Sequence, residues 1–165
     1  MASKKGIAVT IIILVTITAA SFLFWLIPQE SQKSFITSDH ENYLDGVKAI
    51  HSILDQTIST EFQKLKDENM SPDEYLQIAD VTSSQISSQI SEFVISKPPK
   101  EWQDSYISYM DSLRSFNSYV TETKVYTNLV KEGKTDQLDE TLAKIQSYKS
   151  ESETLREISD NSRPK

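Results

Sequence analysis

The chain has 165 residues, enough for one modest domain with an additional segment. It contains no cysteine, which excludes disulfides, thiolate zinc sites and iron–sulfur clusters. The net charge of −7 makes it a poor candidate for binding nucleic acid or an anionic lipid surface, because both need clustered Lys and Arg. With only three glycines, it cannot build the glycine-rich loops that cradle nucleotide phosphates.

The first predicted element is a membrane anchor. Residues 6–27 carry no charge, and a helix of that length spans the roughly 30 Å hydrocarbon layer. Trp25 is placed as an interfacial aromatic residue, and Pro28 ends the helix. Lys4 and Lys5 precede the run and favour a cytoplasmic amino terminus, so we expect the following residues to face outward.

A cleaved signal peptide is the alternative reading of this segment. A cut after Ala20 has small residues at the required positions, but it would leave the apolar sequence SFLFWLIP at the new terminus. Secretory apolar regions run about 7–15 residues before the cut, whereas this run continues to Ile27. We therefore expect the anchor to be retained.

Four amphipathic helices are predicted after the anchor, because apolar residues recur there at steps of three and four and no segment sustains the alternation of a strand. The stripes are Leu44, Val47, His51, Leu54, Ile58, Phe62 and Leu65; Tyr75, Ala79, Ile86, Ile90 and Phe93; Trp102, Tyr106, Tyr109, Leu113, Phe116 and Val120; and Leu138, Leu142, Ile145, Tyr148, Leu155 and Ile158.

The boundaries between these helices are marked by turn and capping residues. Ser71 is the expected N-cap of the second helix, with Pro72 at its first position. The pair Pro98–Pro99 ends that helix, and Gly133 follows the third, with Thr135 as the expected cap of the fourth. Short turns between four such helices predict an antiparallel up-down-up-down four-helix bundle. A longer coiled-coil hairpin is the alternative.

The two histidines do not predict a metal site. His40 and His51 are eleven residues apart, which on a helix separates them by about 16 Å. The Glu-x-x-His motif of di-metal bundles is absent, since Thr37 and Lys48 stand three residues before them. We expect His51, which lies within the apolar stripe, to be a buried polar residue bonded to a neighbouring helix. No cofactor or metal is predicted.

Tyrosines are concentrated in the third predicted helix. Tyr119 and Tyr126 lie one heptad apart and off its main apolar stripe. Because tyrosine gives a large contact area at low entropic cost, these two are the candidates for a surface that faces a protein partner. The alternative is that Tyr106 and Tyr109 of this helix are residues at the edge of the core with their hydroxyls in water.

The amino-terminal sequence SKKGIAVTIIILVTITAASFLFWLIPQ resembles the anchors of small, uncharacterised membrane proteins of ammonia-oxidising archaea. The resemblance covers about 27 residues and is compositional beyond KKG and WLIPQ. It implies an archaeal plasma-membrane protein with an outward domain, and it assigns no functional residue.

Together these features predict a non-enzymatic protein held in the plasma membrane by a single pass, whose outer domain is an interaction or scaffold module. A protein partner or self-association is expected, and nucleic acid is not. The alternative is a sensory bundle that binds a small molecule and signals through a partner membrane protein. The expected layout is a cytoplasmic terminus at 1–5, an anchor at 6–27, a tether at 28–37, the bundle at 38–160 and a disordered tail at 161–165.

Overall fold

The computed structural model describes residues 39–164, which form four α-helices and no strand. The helices are α1 (His40–Lys66), α2 (Pro72–Ser96), α3 (Gln103–Glu132) and α4 (Leu138–Asn161), with single 3₁₀ turns at Lys100–Trp102 and Thr135–Gln137. The prediction of an all-helical domain is confirmed for this part of the chain.

The predicted anchor at 6–27, the tether at 28–37 and the interfacial residues Lys4, Lys5 and Trp25 lie outside the described residues. Among the helices that are described, none is both long and apolar enough to cross a bilayer.

Local capping chemistry sets the helix ends. The Ser71 side chain accepts a hydrogen bond from the backbone of Glu74, whose carboxylate accepts one from the Ser71 backbone, so α2 begins with a complete capping box. Gly133 ends α3 with a left-handed backbone (φ 70°), where glycine carries no steric penalty. Thr135 is not the cap of α4, because it begins a 3₁₀ turn that precedes the helix.

Contacts between helix ends establish the directions of the helices. At the start of α1, the Tyr106 hydroxyl of α3 donates to the His40 carbonyl oxygen at 2.9 Å. The Tyr43 ring lies 5.7 Å from that of Phe93 near the end of α2. Lys48 forms an ion pair with Asp160 near the end of α4. Thus α1 and α3 run in one direction, and α2 and α4 run in the other.

The four stripes form one hydrophobic core, and α3 contributes the most to it. All the predicted apolar positions of α1 on the main stripe are buried, as are Tyr75, Ala79, Ile86 and Phe93 of α2. Tyr106, Tyr109, Leu113, Phe116, Tyr119 and Val120 of α3 are also buried. Of the stripe predicted for α4, only Ile145 is buried, and Leu138, Leu142, Tyr148 and Leu155 are partly buried. The prediction is wrong at Ile158, which is 45% exposed.

Serines, rather than apolar residues, form the contact between α3 and the second half of α4. Ser112 donates to the Ser152 carbonyl at 2.7 Å, and Ser152 donates back to the Ser112 carbonyl at 2.9 Å. One heptad away, Ser105 donates to the Ser159 carbonyl at 2.8 Å. A serine hydroxyl lies only two bonds from its own Cα, so these bonds require the two backbones to approach closely.

The end of α4 is tied to α1. Asn161 is the last residue of the helix, and the Arg163 guanidinium forms ion pairs with Asp45 and Asp160. Arg163 therefore links the chain that follows α4 to α1.

We expect Ser152→Leu to lower the free energy of unfolding by about 1–3 kcal/mol, because the larger side chain forces the close α3–α4 contact apart. Ser150→Leu is the matched control, since Ser150 is exposed on the same helix, and a surface change of this kind stays within about 0.5 kcal/mol. Urea unfolding followed by circular dichroism measures both. Equal midpoints for the two variants would contradict the close packing.

Candidate functional site

A buried pair of titratable groups lies at the centre of the bundle. His51 of α1 is 1% exposed, and a hydrogen bond of 3.0 Å joins its Nδ1 to the Tyr109 hydroxyl of α3. The imidazole also lies 4.4 Å from the Phe116 ring, measured between centroids. The structure therefore places His51 as a buried polar residue bonded to another helix.

Burial determines the protonation states of this pair. Desolvation, aided by the positive charge of Arg156, lowers the pKa of His51 to about 3. Burial also raises the pKa of Tyr109 far above its usual value. Both groups are therefore neutral at physiological pH, and their hydrogen bond links α1 to α3. Because they are enclosed, they are not accessible for proton exchange with a substrate in solvent.

A second buried polar link joins α2 to α3. The Tyr75 hydroxyl donates to the Thr123 hydroxyl at 2.7 Å, and Thr123 in turn donates to the Val120 carbonyl at 2.7 Å. Desolvation raises the pKa of Tyr75 well above its ordinary value. The Tyr75 and Thr123 hydroxyl groups thus join α2 to α3 through a buried hydrogen bond.

Tyr119 does not occupy the surface position predicted for it. Its side chain is 2% exposed, and its hydroxyl lies 3.4 Å from the Ser59 hydroxyl of α1. Positions 105, 112, 119 and 126 are seven residues apart, so Tyr119 continues the line of Ser105 and Ser112 that faces α4. This face is covered by a neighbouring helix and is not available to a partner.

Tyr126, the other candidate for a partner-facing surface, is partly buried. Its ring packs edge-to-face on Phe62 of α1, with 5.1 Å between the centroids. The two tyrosines therefore do not form the exposed aromatic patch that their spacing predicts.

Around Tyr119 lies a polar cluster that the sequence pattern does not reveal. Lys149 of α4 donates to the Ser59 hydroxyl at 2.8 Å, lies 3.7 Å from the Asp55 carboxylate and sits 5.7 Å from the Tyr119 ring centroid. The cluster links α1, α3 and α4 in one place. From the sequence alone, Lys149 and Asp55 are expected to be ordinary surface residues. The residues that they contact in the fold lie in distant segments of the chain.

Two glutamines on α2 carry buried amide oxygens without a hydrogen-bond partner among the described residues. They are Gln85 and Gln89, one helical turn apart, and Gln89 is 7% exposed. Nearby on the same helix, burial raises the pKa of Glu92. Unpaired buried carbonyl oxygens are uncommon in folded proteins. A ligand that donated hydrogen bonds to these two oxygens would therefore be stabilised at this part of α2.

Within residues 39–164, no group of three or more His, Asp or Glu side chains is arranged to hold a metal ion. The two histidines have separate surroundings, since His40 packs against Trp102 and Tyr106 with centroid distances of 6.3 and 5.8 Å. The acidic pairs Asp73–Glu74 and Asp139–Glu140 lie in the first turns of α2 and α4, where the helix dipole stabilises negative charge.

Comparison with known proteins finds no match to this chain among protein-family models, curated proteins or solved structures.

We expect His51 to make the domain less stable in acid. The unfolded chain binds a proton at His51 below about pH 6.5, whereas the folded domain binds it only near pH 3. The contribution of His51 to stability is therefore lost as the pH falls below about 6.5. Between pH 7 and pH 5 the loss is about 2 kcal/mol.

The measurement is urea unfolding across this pH range for the wild type and for His51→Gln, which cannot titrate. His51→Gln should show a correspondingly flatter pH dependence. His40→Gln, which leaves His51 as the sole histidine, should retain the steep one. Parallel curves for His51→Gln and the wild type would show that His51 is accessible to protons in the folded domain.

Proposed function

We propose that this protein is a non-catalytic interaction or scaffold module, held at the outer face of the plasma membrane by residues 6–27. The observation that carries the proposal is that three pairs of buried polar side chains at the centre of the bundle bond across neighbouring helices. His51 is bonded to Tyr109, Tyr75 to Thr123, and Ser112 to Ser152. Side chains used in this way maintain the fold, so the surface of the domain is the part available for function.

The membrane attachment in this proposal is supported by the sequence. The charge-free run of residues 6–27 follows Lys4 and Lys5, which is the order that keeps the amino terminus in the cytoplasm. With an anchor in this orientation, the antiparallel four-helix bundle lies outside the cell. The bundle can engage a protein partner or a second copy of the chain.

Membrane attachment is tested by fractionating cells that produce the full chain with a carboxy-terminal tag. We expect the protein to stay in the membrane fraction after an alkaline carbonate wash, and we expect protease added to intact cells to remove the tag. Release by carbonate, protection of the tag, or a mature protein that begins at Ser21 would contradict the proposal.

Copurification after gentle solubilisation should recover a partner or an oligomer, and recovery of a bare monomer would count against an interaction module.

One observation favours a second candidate function, a small-molecule-binding sensory bundle. The unpaired amide oxygens of Gln85 and Gln89 would accept hydrogen bonds from a ligand that enters the bundle near α2. Such a module would signal through a separate membrane protein.

Gln89→Leu separates the two candidates, because it removes an unpaired buried oxygen while keeping a similar volume. For an interaction module we expect the unfolding free energy to stay the same or rise by up to about 1 kcal/mol, since an unsatisfied polar group is removed. For a sensory bundle, the wild type would be stabilised by a small-molecule extract of the source cells and the variant would not. Thermal unfolding with and without the extract measures both, with Gln103→Leu, an exposed site on α3, as control.

A further inference from the structure

The contact between α1 and α2, which we call the α1–α2 seam, runs along most of α2. Near one end, the Tyr43 ring of α1 lies 5.7 Å from the Phe93 ring of α2. Near the other end, the Phe62 ring lies 5.6 Å from the Tyr75 ring. The two pairs define an antiparallel register, in which residues 85–92 of α2 lie opposite about residues 44–51 of α1.

Three polar side chains of α2 lie in one row along this seam. Gln85, Gln89 and Glu92 are separated by four and three residues, which places them on the same face of the helix. Burial and the negative charge of Glu92 together raise the pKa of Tyr43 to about 12, so Glu92 lies beside α1. The row therefore faces α1 at the level of residues 44–51.

The acceptor oxygens of this row lack donors. The Oε1 atoms of Gln85 and Gln89 are buried and unpaired among the described residues. Burial raises the pKa of Glu92, and no cation in the described part of the chain offsets this effect. A third unpaired buried oxygen, Oε2 of Glu61, belongs to the far end of the seam, where the other oxygen of that carboxylate pairs with Lys64. Since an unpaired buried acceptor is costly, a molecule that supplied donors to the row would be stabilised there.

The other charged residues of α1 and α2 are engaged elsewhere. Four residues of α1 pair with α4 or with Arg163 beyond it, and they are Glu41, Asp45, Lys48 and Asp55. Three more stand in the last two turns of α1, at the far end of the seam, and they are Glu61, Lys64 and Lys66. Three residues of α2 are engaged in its capping box or toward α3, and they are Asp73, Glu74 and Asp80. The row itself therefore carries one charge, the carboxylate of Glu92.

The end of the bundle beyond Glu92 carries both signs of charge and is acidic on balance. Its acidic residues are Asp39, Glu41, Asp45, Glu101, Asp104 and Asp160. Its basic residues are Lys48, Lys97, Lys100 and Arg163. A cation at the row is therefore attracted by Glu92 and meets no net repulsion from this end, whereas an anion would be repelled by both.

The length of the row favours a chain-like ligand over a single ion. Gln85 and Glu92 are seven residues apart, which on a helix is a rise of about 10 Å. A metal ion binds oxygens at roughly 2.0–2.6 Å, so one ion cannot contact the whole row. A linear polyamine carries its amines at a spacing comparable to that of neighbouring members of the row.

The backbone of α1 leaves room beside the row. Gly46 lies in the part of α1 opposite residues 85–92, one turn after Tyr43. A Cβ at Gly46 would have no atom within 4 Å, so no packing of the described residues requires a glycine there. Glycine inside a helix is destabilising. The outer side of the seam is thus open to a ligand at this level.

We propose that the middle of the α1–α2 seam binds a linear polyamine, whose ammonium groups donate to the amide oxygens of Gln85 and Gln89 and pair with the Glu92 carboxylate. The two amide oxygens are covered in the free domain, so the ligand displaces the groups that cover them. Hydrogen bonds from charged donors are stronger than those from neutral ones, which compensates for this displacement. The inference deepens the second candidate function, a small-molecule-binding bundle, and rests on it.

Thermal unfolding of the full chain in a nonionic detergent tests the proposal, with spermidine as the probe. An acidic protein attracts any multivalent cation, so Mg²⁺ at equal ionic strength is the control for general attraction. We expect spermidine to raise the Tm by several degrees and Mg²⁺ to leave it nearly unchanged. Equal shifts with the two cations, or no shift with spermidine, would overturn the proposal.

The two amides are tested with Gln85→Leu and Gln89→Leu together, which remove both acceptors and leave the net charge unchanged. Gln77→Leu, at an exposed site on the same helix, is the matched control. In titration calorimetry we expect the pair of substitutions to raise the Kd for spermidine about tenfold or more and the control to leave it unchanged. Equal affinities of the two chains would show that the polyamine binds elsewhere on the acidic surface.

The carboxylate is tested with Glu92→Gln against Glu101→Gln, an exposed site. Each substitution removes one negative charge and keeps the side-chain volume, so this pair carries the test if circular dichroism shows that the leucine variants do not fold. We expect Glu92→Gln to weaken spermidine binding several-fold more than Glu101→Gln, and equal effects would contradict the placement of an ammonium group at Glu92.

The ligand class and the function beneath it fail in different ways. If a small-molecule extract of the source cells stabilises the wild type and spermidine does not, the polyamine is wrong and the second candidate function stands. If neither stabilises it, both are wrong.

Discussion

The packing of α3 against its three neighbours is the constraint on which the rest of the domain depends. Outside the apolar run at 6–27 the chain is rich in serine, threonine and charged residues, so the core has few large apolar side chains to spare. The domain compensates by burying hydroxyl and imidazole groups that bond across helices, at His51–Tyr109, Tyr75–Thr123 and Ser112–Ser152. Each bond removes the cost of an unpaired buried polar group and fixes the register of two helices.

This arrangement separates the interior from the functional surface. His51 and Tyr109 are enclosed and neutral, as the lowered pKa of His51 and the raised pKa of Tyr109 indicate, and the hydrogen bond between them holds two helices together. The exposed faces of the helices are the part of the domain that remains available for contact with other molecules. A membrane-held module that contacts other molecules through its surface is consistent with this division.

Much of the fold follows from sequence periodicity, and the exceptions have a common physical cause. The stripes of α1 and α2 and the capping box at Ser71 are predicted correctly, because each depends on local spacing and local hydrogen bonds. The prediction fails at Tyr119 and at Ile158, since α4 packs through Ser152 and Ser159 instead of an apolar stripe. Hydropathy does not distinguish a serine that bonds to an opposing carbonyl from one that faces water. The polar cluster of Lys149, Ser59 and Tyr119 escapes prediction for a different reason, because its members are far apart in the sequence and meet only in the folded domain.

The most direct test of this account is hydrogen exchange on the full chain in vesicles, read out for the amides of α4 around Ser152 and of α3 around Ser112. If the serine contacts hold α4 in the core, both sets of amides should exchange slowly and at similar rates, through opening of the whole domain. Rapid exchange of α4 while α1, α2 and α3 stay protected would show that α4 is only loosely attached, and it would contradict the claim that cross-helix polar bonds complete the core.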